Sequence, residues 1–260
     1  MSIFRFQQFS VVQEQSAMKI CTDTLLFGAM MPPVEGRAVL DVGTGSGVLA
    51  LMAAQLGGKW ITGVELTEEA YREAELNFAL SPWADRLQAV HRSIQDFAET
   101  AALQYDLIVC NPPFFERHYL SQSRLRRTAR HAEHLAYCEL IGIVNHLLAP
   151  EGSCYLLLPV HAVGKLTELA LEAGLYPVGE TLIQGFAHSE ARVAALTFGR
   201  SRLTCLKERM TVYESAGIYT QESEQYLSPF LLRFSESGRR LTRGTAGDGE
   251  AERRSRPPGE

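Results

Sequence analysis

The sequence predicts an α/β protein: a doubly wound, mainly parallel sheet of seven strands. Three observations lead there. Short β-rich runs alternate with stretches of helical length, the pattern of βαβ units and of a parallel sheet covered on both faces. A glycine cluster separates the first of these runs from the helix after it. Two further strand-like runs close the series without a helix between them, as a hairpin would.

Residues 1–37 form an N-terminal extension ahead of this series. AVLDV (38–42) is the first strand of the main sheet, and VLALMAAQL (48–56) follows as a helix starting near Ser46. WITGVEL (60–66) is the next strand, EEAYREAELNFAL (68–80) the next helix, and LQAVH (87–91) and YDLIVC (105–110) the third and fourth strands. CYLLLP (154–159) is the fifth; KLTELALEAGL (165–175) is a helix with Gly174 near its end. YPVGETLI (176–183) and RVAALTFG (192–199) complete seven strands as a hairpin expected to close one edge. The catalytic-type domain is expected over 38–234. From 235 to 260 the chain has almost no apolar residues, so that tail is expected to be disordered.

With 260 residues and 46% hydrophobic content, the chain can bury a full core as one domain. Its apolar runs are too short for a bilayer span and the start MSIFRFQQFS has no secretory core, which points to a cytoplasmic protein without a membrane partner. Five scattered cysteines without a CxxC pair suggest neither a disulfide framework nor a metal site. The net charge of −5 argues against a protein that coats nucleic acid over its whole surface. Locally the balance reverses: Arg117, Arg124, Arg126, Arg127 and Arg130 fall in a stretch with no acid.

VLDVGTGSGVLAL (39–51) carries the first chemical signal. A strand ends at Asp41, and Gly43, Gly45 and Gly47 let the backbone turn sharply and approach a ligand without Cβ interference, at a helix N-terminus with free N–H groups. The spacing G-x-G-x-G, with an acid two residues ahead, differs from the dinucleotide fingerprint G-x-G-x-x-G. It resembles motif I of the class I S-adenosylmethionine methyltransferases, a Rossmann-like group. Glu65, at the end of the next strand, can accept both hydroxyls of a ribose. Asp96 is placed to meet an adenine amine, although Ser93 and Asp96 equally fit a helix N-cap.

The fourth strand ends in Asn111-Pro112-Pro113-Phe114-Phe115. In an open parallel sheet ligands bind beyond the carboxyl ends of the strands, so this loop faces the glycine turn. An exocyclic amine has its lone pair delocalised into a ring, and two acceptors must hold its hydrogens to aim the nitrogen at a methyl donor. The Asn111 side-chain oxygen and the Pro112 carbonyl supply them, the prolines fix φ, and Phe114 stacks on a flat base or amide. Phe115 is a second stacking ring or its hydrophobic support.

Asn-Pro-Pro-aromatic resembles the amino-methyltransferases of adenine N6, guanine N2 or glutamine side chains. FRFQQFSVVQEQSAMKICTDTLLFGAMM (4–31) narrows the choice: it is similar to the amino-terminal block of the bacterial tRNA-valine adenine-37 N6-methyltransferases. That likeness continues through NFALSPWADRLQAV (77–90), LLLPVHAVGKLTELALEAGLYP (156–177) and YTQESEQYLSPFLLRF (219–234). It implies S-adenosyl-L-methionine as cofactor, a tRNA anticodon stem-loop as partner and no metal. It further implies Thr22 and Asp23 near the methionine end of the cofactor, Asp41, Gly43, Gly45 and Gly47 as its cradle, and Glu65 on its ribose. Asp96 would meet the cofactor's adenine, while Asn111, Pro112 and Phe114 receive the target base.

Arg124, Arg126 and Arg127 follow the catalytic loop and are expected to grip RNA phosphates at the substrate mouth; a solvated surface helix is the competing reading. Arg5 and Lys19 offer a second contact. Guanine-N2 methylation of rRNA and glutamine methylation of a protein use the same loop chemistry. Glutamine methylation calls for a partner-docking domain, for which 37 residues ahead of the sheet leave little room. A non-catalytic binding module would keep the cradle but lose the Asn or the aromatic.

Overall fold

The computed structural model describes residues 2–16, 19–112 and 137–235. Phe114, Phe115, Arg124, Arg126, Arg127 and the tail from 236 lie outside the described residues.

A two-stranded antiparallel ribbon opens the chain, β1 (Ile3–Arg5) with β2 (Ser10–Val12), followed by α1 (Thr22–Ala29). The main sheet then builds through β3 (Ala38–Val42), α2 (Val48–Gln55), β4 (Trp60–Glu65), α3 (Glu68–Ala79), β5 (Leu87–His91), α4 (Ile94–Thr100) and β6 (Tyr105–Cys110). Residues 137–147 are helical, α5, and lead into β7 (Leu148–Pro159) and α6 (Val160–Glu172). The remainder is β8 (Tyr176–Phe186), β9 (Val193–Gly199), β10 (Leu206–Ser215), β11 (Ile218–Tyr219) and α7 (Gln221–Leu227). No helix among the described residues is long and apolar enough to cross a membrane.

The sheet order is β11-β10-β8-β9-β7-β6-β3-β4-β5. β3 pairs in parallel with both β4 and β6, and the chain reverses direction across the sheet between β3 and β6. That reversal is the switch point where ligands of open α/β sheets bind.

All seven expected strands are present, but among the described residues the sheet has nine. β8 and β9 do form an antiparallel hairpin, yet they do not close the edge: β9 enters between β7 and β8, and β10 adds in parallel outside β8. LKERMTVYES escapes recognition as a strand because three consecutive charges, Lys207 to Arg209, mask the inward pair Met210 and Val212. α6 starts at Val160 rather than Lys165, directly after Pro159. α2 starts at Val48 rather than near Ser46, because Gly47 is still left-handed at φ 84°.

Alternation along the central strands divides the core in two. Val39, Leu107, Val109, Tyr155 and Leu157 face α1, α2 and the N-terminal ribbon, while Leu40, Val42, Ile108, Leu156 and Leu158 face α5 and α6. Both sets are buried, which is why these strands read as continuous apolar runs.

Two buried polar residues of α3 fasten the N-terminal segment over the glycine turn. The Asn77 side chain accepts from Val12 N–H at 2.8 Å and donates to Val12 O at 2.9 Å and Ser46 O at 2.8 Å. Glu73 accepts from the N–H groups of Glu14, Gln15 and Ser16 and from the Ser16 hydroxyl. Burial alone would raise the Glu73 pKa; the Ser16 hydroxyl and those three N–H donors outweigh it and hold the carboxyl below its ordinary value.

Candidate functional site

The site grows from the strand ends at the switch point. Gly43, Gly45 and Gly47 all adopt positive φ, at 68°, 56° and 84°. The N–H groups of Gly43 and Thr44 both donate to Val64 O, at 2.9 and 3.0 Å, which folds the turn back against β4. A Cβ placed on Gly43 or Gly45 would meet no atom within 4 Å, so both face open space. At Gly47 it would lie 2.5 Å from the Phe78 ring; that glycine serves packing as well as conformation.

Glu65 leaves the end of β4 toward this turn. Its Oε2 accepts from Gly45 N–H at 3.0 Å, and its Oε1 accepts from the N–H and hydroxyl of Thr67 at 2.9 and 3.0 Å. The carboxylate braces the turn and keeps lone pairs free for further donors.

Asp41 lies beneath the turn and is 1% exposed. Its Oδ2 accepts from the Thr44 hydroxyl at 2.6 Å, while Oδ1 has no hydrogen-bond partner among the described residues. Burial pushes its pKa up to about 7, opposed by the Thr44 hydroxyl and by the backbone N–H of Ala50 and aided by the charge of Glu65.

Asn111 follows the last residue of β6 and faces the glycine turn across a cleft. Lys19, Thr24, Gly43, Gly45 and Ser46 line that cleft with it. Its Nδ2 donates to the Thr24 hydroxyl at 3.3 Å, whereas Oδ1 is buried and has no donor among the described residues. The amide is thus tethered at its nitrogen and left with an unused acceptor. Such an atom costs free energy unless something else satisfies it. Pro112 follows and is half-buried.

Thr22 and Asp23 begin α1, beside the cleft rather than on the glycine turn. The Thr22 hydroxyl lies 3.0 Å from the Tyr213 hydroxyl. Burial raises the Asp23 pKa, and the positive charge of Arg192 opposes that rise. Asp96 sits on the exposed first turn of α4, where Ser93 caps the helix by accepting from its N–H at 3.0 Å. The N-cap pattern is therefore realised, and Asp96 is not among the described residues that line the cleft.

The sequence reading missed Thr24 and the anchors on α3, and expected Lys19 only as an RNA contact, not as a residue lining the cleft. Thr24 carried a signal: it is a polar residue inside the buried run Thr24 to Gly28 of α1, whose hydroxyl needs a partner. Lys19 reaches the carbonyls of Gln13 and Glu14, a loop contact that no spacing announces.

Comparison with known proteins adds a separate line. A family model described as ribosomal protein L11 methyltransferase matches residues 26–112. A Flavobacterium psychrophilum protein named tRNA1(Val) (adenine(37)-N6)-methyltransferase is 37% identical over 236 residues, covering 89% of this chain and 100% of its own. A Cytophaga hutchinsonii protein of the same name is 42% identical over 175 residues, or 67% of this chain and 74% of its own. Among solved structures, a predicted O-methyltransferase from Agrobacterium tumefaciens superposes with a TM-score of 0.58 at 15% identity, over 78% of this chain and 93% of its own. At that identity the likeness speaks to the fold alone.

Proposed function

The chain belongs to the tRNA1(Val) (adenine(37)-N6)-methyltransferase family, and from that premise we propose that it methylates the exocyclic N6 amine of adenine 37, beside the anticodon of tRNA1(Val). The observation that carries this reading to individual residues is that Asn111 lines the cleft together with the glycine turn, with a buried Oδ1 that has no donor among the described residues.

The residues around the cleft suit the cofactor that this reaction needs. Open space above Gly43 and Gly45 leaves room for a ligand at backbone distance, and the carboxylate of Glu65 is oriented by Gly45 itself. S-adenosyl-L-methionine, when bound, supplies an electrophilic methyl group on a sulfonium and carries its own leaving group. In this reading Asp41, Gly43, Gly45 and Gly47 form its cradle, Glu65 accepts from its ribose hydroxyls, and Thr22 and Asp23 serve its amino-acid end. Asp96 is assigned to its adenine by family resemblance alone.

Asn111 Oδ1 and the Pro112 carbonyl accept the two N–H hydrogens of the target amine. As the nitrogen's lone pair leaves conjugation with the ring, the amine hydrogens become more acidic and both acceptors bind them more tightly. No strong base is required, since orientation accounts for most of the acceleration. Phe114 and Phe115 receive the flipped base by stacking, and Arg124, Arg126 and Arg127 hold flanking phosphates. These five assignments rest on the sequence motif and the charge run.

The ribosomal-protein methyltransferase model matches through Pro112 and stops. It therefore covers the stretch with the glycine turn, Glu65 and Asn111, motifs that adenine, guanine and glutamine enzymes share. The test is incubation with labelled S-adenosylmethionine and unmodified bulk tRNA, followed by digestion to nucleosides. Label in N6-methyladenosine is expected. Label in N2-methylguanosine, or in a protein fraction with none in RNA, would overturn the substrate assignment.

A further inference from the structure

A row of aromatic rings crosses the strand ends next to the cleft, and the methyl-transfer reading leaves it unused. Phe186 ends β8, Tyr213 lies near the end of β10, and Tyr219 ends β11. β8 and β10 run in the same sense as β6 and β7, so these rings stand on the edge from which Asn111 emerges.

The rings touch in sequence. Phe186 and Tyr213 have centroids 5.7 Å apart, Tyr213 and Tyr219 stack at 5.0 Å, and Tyr219 meets Phe234 at 5.9 Å. The Arg233 guanidinium lies over Tyr219 at 4.9 Å. All four rings are half-buried, and Tyr213, Tyr219 and Phe234 rest on the core while keeping part of their surface exposed.

A cavity of about 380 Å³ opens beside this row, between Phe4, Arg5, Tyr219 and Arg233. Ile20 lines both the cavity and the cleft of the glycine turn, so the two adjoin. The first turn of α1 links them a second time, with Thr24 on Asn111 and Thr22 on Tyr213.

Building on the tRNA reading, we infer that the aromatic row and its cavity hold the single-stranded nucleotides flanking the target adenine. Three features suit that occupant. Half-buried rings that keep part of their surface exposed can stack with unstacked bases whatever their sequence, and the Arg233 guanidinium over Tyr219 gives a base a second flat surface to stack on. Arg5 and Arg233, both exposed, provide cations for the phosphates between those bases. The surface also runs directly into the site where one base must be withdrawn from the loop. An apolar partner would have no use for the two arginines, and a rigid duplex could not enter a pocket of this size.

The full-length protein, with an unmodified anticodon stem-loop, provides the test. Tyr219→Leu is expected to raise the RNA Kd and KM about 10-fold, with S-adenosylmethionine affinity and kcat at saturating RNA unchanged. Tyr219→Phe, which keeps the ring, should bind RNA like the parent. Arg233→Gln should lower the slope of log Kd against log salt by about one. If Tyr219→Leu does not fold, a 5-bromouridine-substituted stem-loop photocrosslinked to the unaltered protein should attach within residues 186–188, 213–219 or 230–234.

RNA affinity within twofold of the parent in a folded Tyr219→Leu, or crosslinks confined to other segments, would overturn the inference while leaving a methylating parent enzyme intact. A parent protein that neither binds nor methylates the stem-loop would instead overturn the function on which the inference rests.

Discussion

At the scale of single residues, the proposed chemistry turns on one amide. Asn111 is held at its nitrogen by Thr24, and its buried oxygen has no donor among the described residues. Asn111→Ala should lower kcat about 100-fold or more, the usual loss for one oriented polar group, while cofactor affinity measured by calorimetry stays within a few-fold of the parent. Thr24→Val should lower kcat about 10-fold with little change in KM, because a freed amide samples both orientations. Thr24→Ser, which keeps the hydroxyl, should restore the rate. Equal rates in Thr24→Val and parent would make the tether incidental.

Asp41 adds a prediction in pH. Its pKa of about 7 in the folded protein exceeds the ordinary 3.8, so the folded state binds more protons than the unfolded one between those values. Stability contributed by this group therefore falls as pH rises from about 4 to 7 and stays low above that. Asp41→Asn removes the titration. Its melting temperature should exceed the parent's at pH 8 and match it near pH 4; the reverse order would mean that Asp41 is charged and satisfied within the fold.

The buried aspartate was legible in the sequence as part of the glycine motif, and Asn111 as the residue where an apolar strand stops. Thr24 was not. Its importance depends on α1 crossing the end of β6, a contact between residues 87 positions apart that no local spacing encodes.

At the scale of elements, α3 holds the N-terminal segment in place through Glu73 and Asn77. Glu73→Ala would leave the N–H groups at 14 to 16 without their acceptor, each a loss of about 1 kcal/mol or more. The effect should be local: hydrogen exchange in residues 2–16 should speed up while the strands of the main sheet stay protected. Uniform acceleration across the protein would show instead that the segment is part of the global folding unit. The Glu73 pKa lies below its ordinary value, so its stabilisation is present above pH 4.5 and is lost as the carboxyl protonates in acid.

Element identity was read well where burial is two-sided. β3, β4, β6 and β7 are apolar on both faces, and their order with the intervening helices follows from the handedness of βαβ units. β10 was missed for the opposite reason. It extends one end of the sheet, its first four residues Leu206 to Arg209 are exposed, and its packing signal is reduced to alternate positions. The aromatic row depends on that strand and on Tyr219 beyond it, so it was invisible before the strand was placed.

For the whole molecule, an acidic protein must approach a polyanion. A net charge of −5 gives no general attraction to RNA, so binding has to be local. Arg124, Arg126 and Arg127 are the sequence's main cationic stretch, and replacing all three with glutamine should weaken tRNA binding and reduce its salt slope by about three. An unchanged slope would mean that the stretch makes no phosphate contact. The aromatic row and the arginine stretch make separable predictions: base stacking is insensitive to salt, whereas phosphate pairing is not.

The most direct measurement is a crystal structure of the protein with S-adenosylhomocysteine and an unmodified anticodon stem-loop. Adenine 37 should be withdrawn from its loop, with its N6 about 2.7–3.2 Å from Asn111 Oδ1 and from the Pro112 carbonyl, and its ring facing the cofactor sulfur across the glycine turn. An adenine N6 lying out of hydrogen-bond reach of Asn111, or an Asn111 oxygen satisfied by the protein instead of the base, would contradict the mechanism.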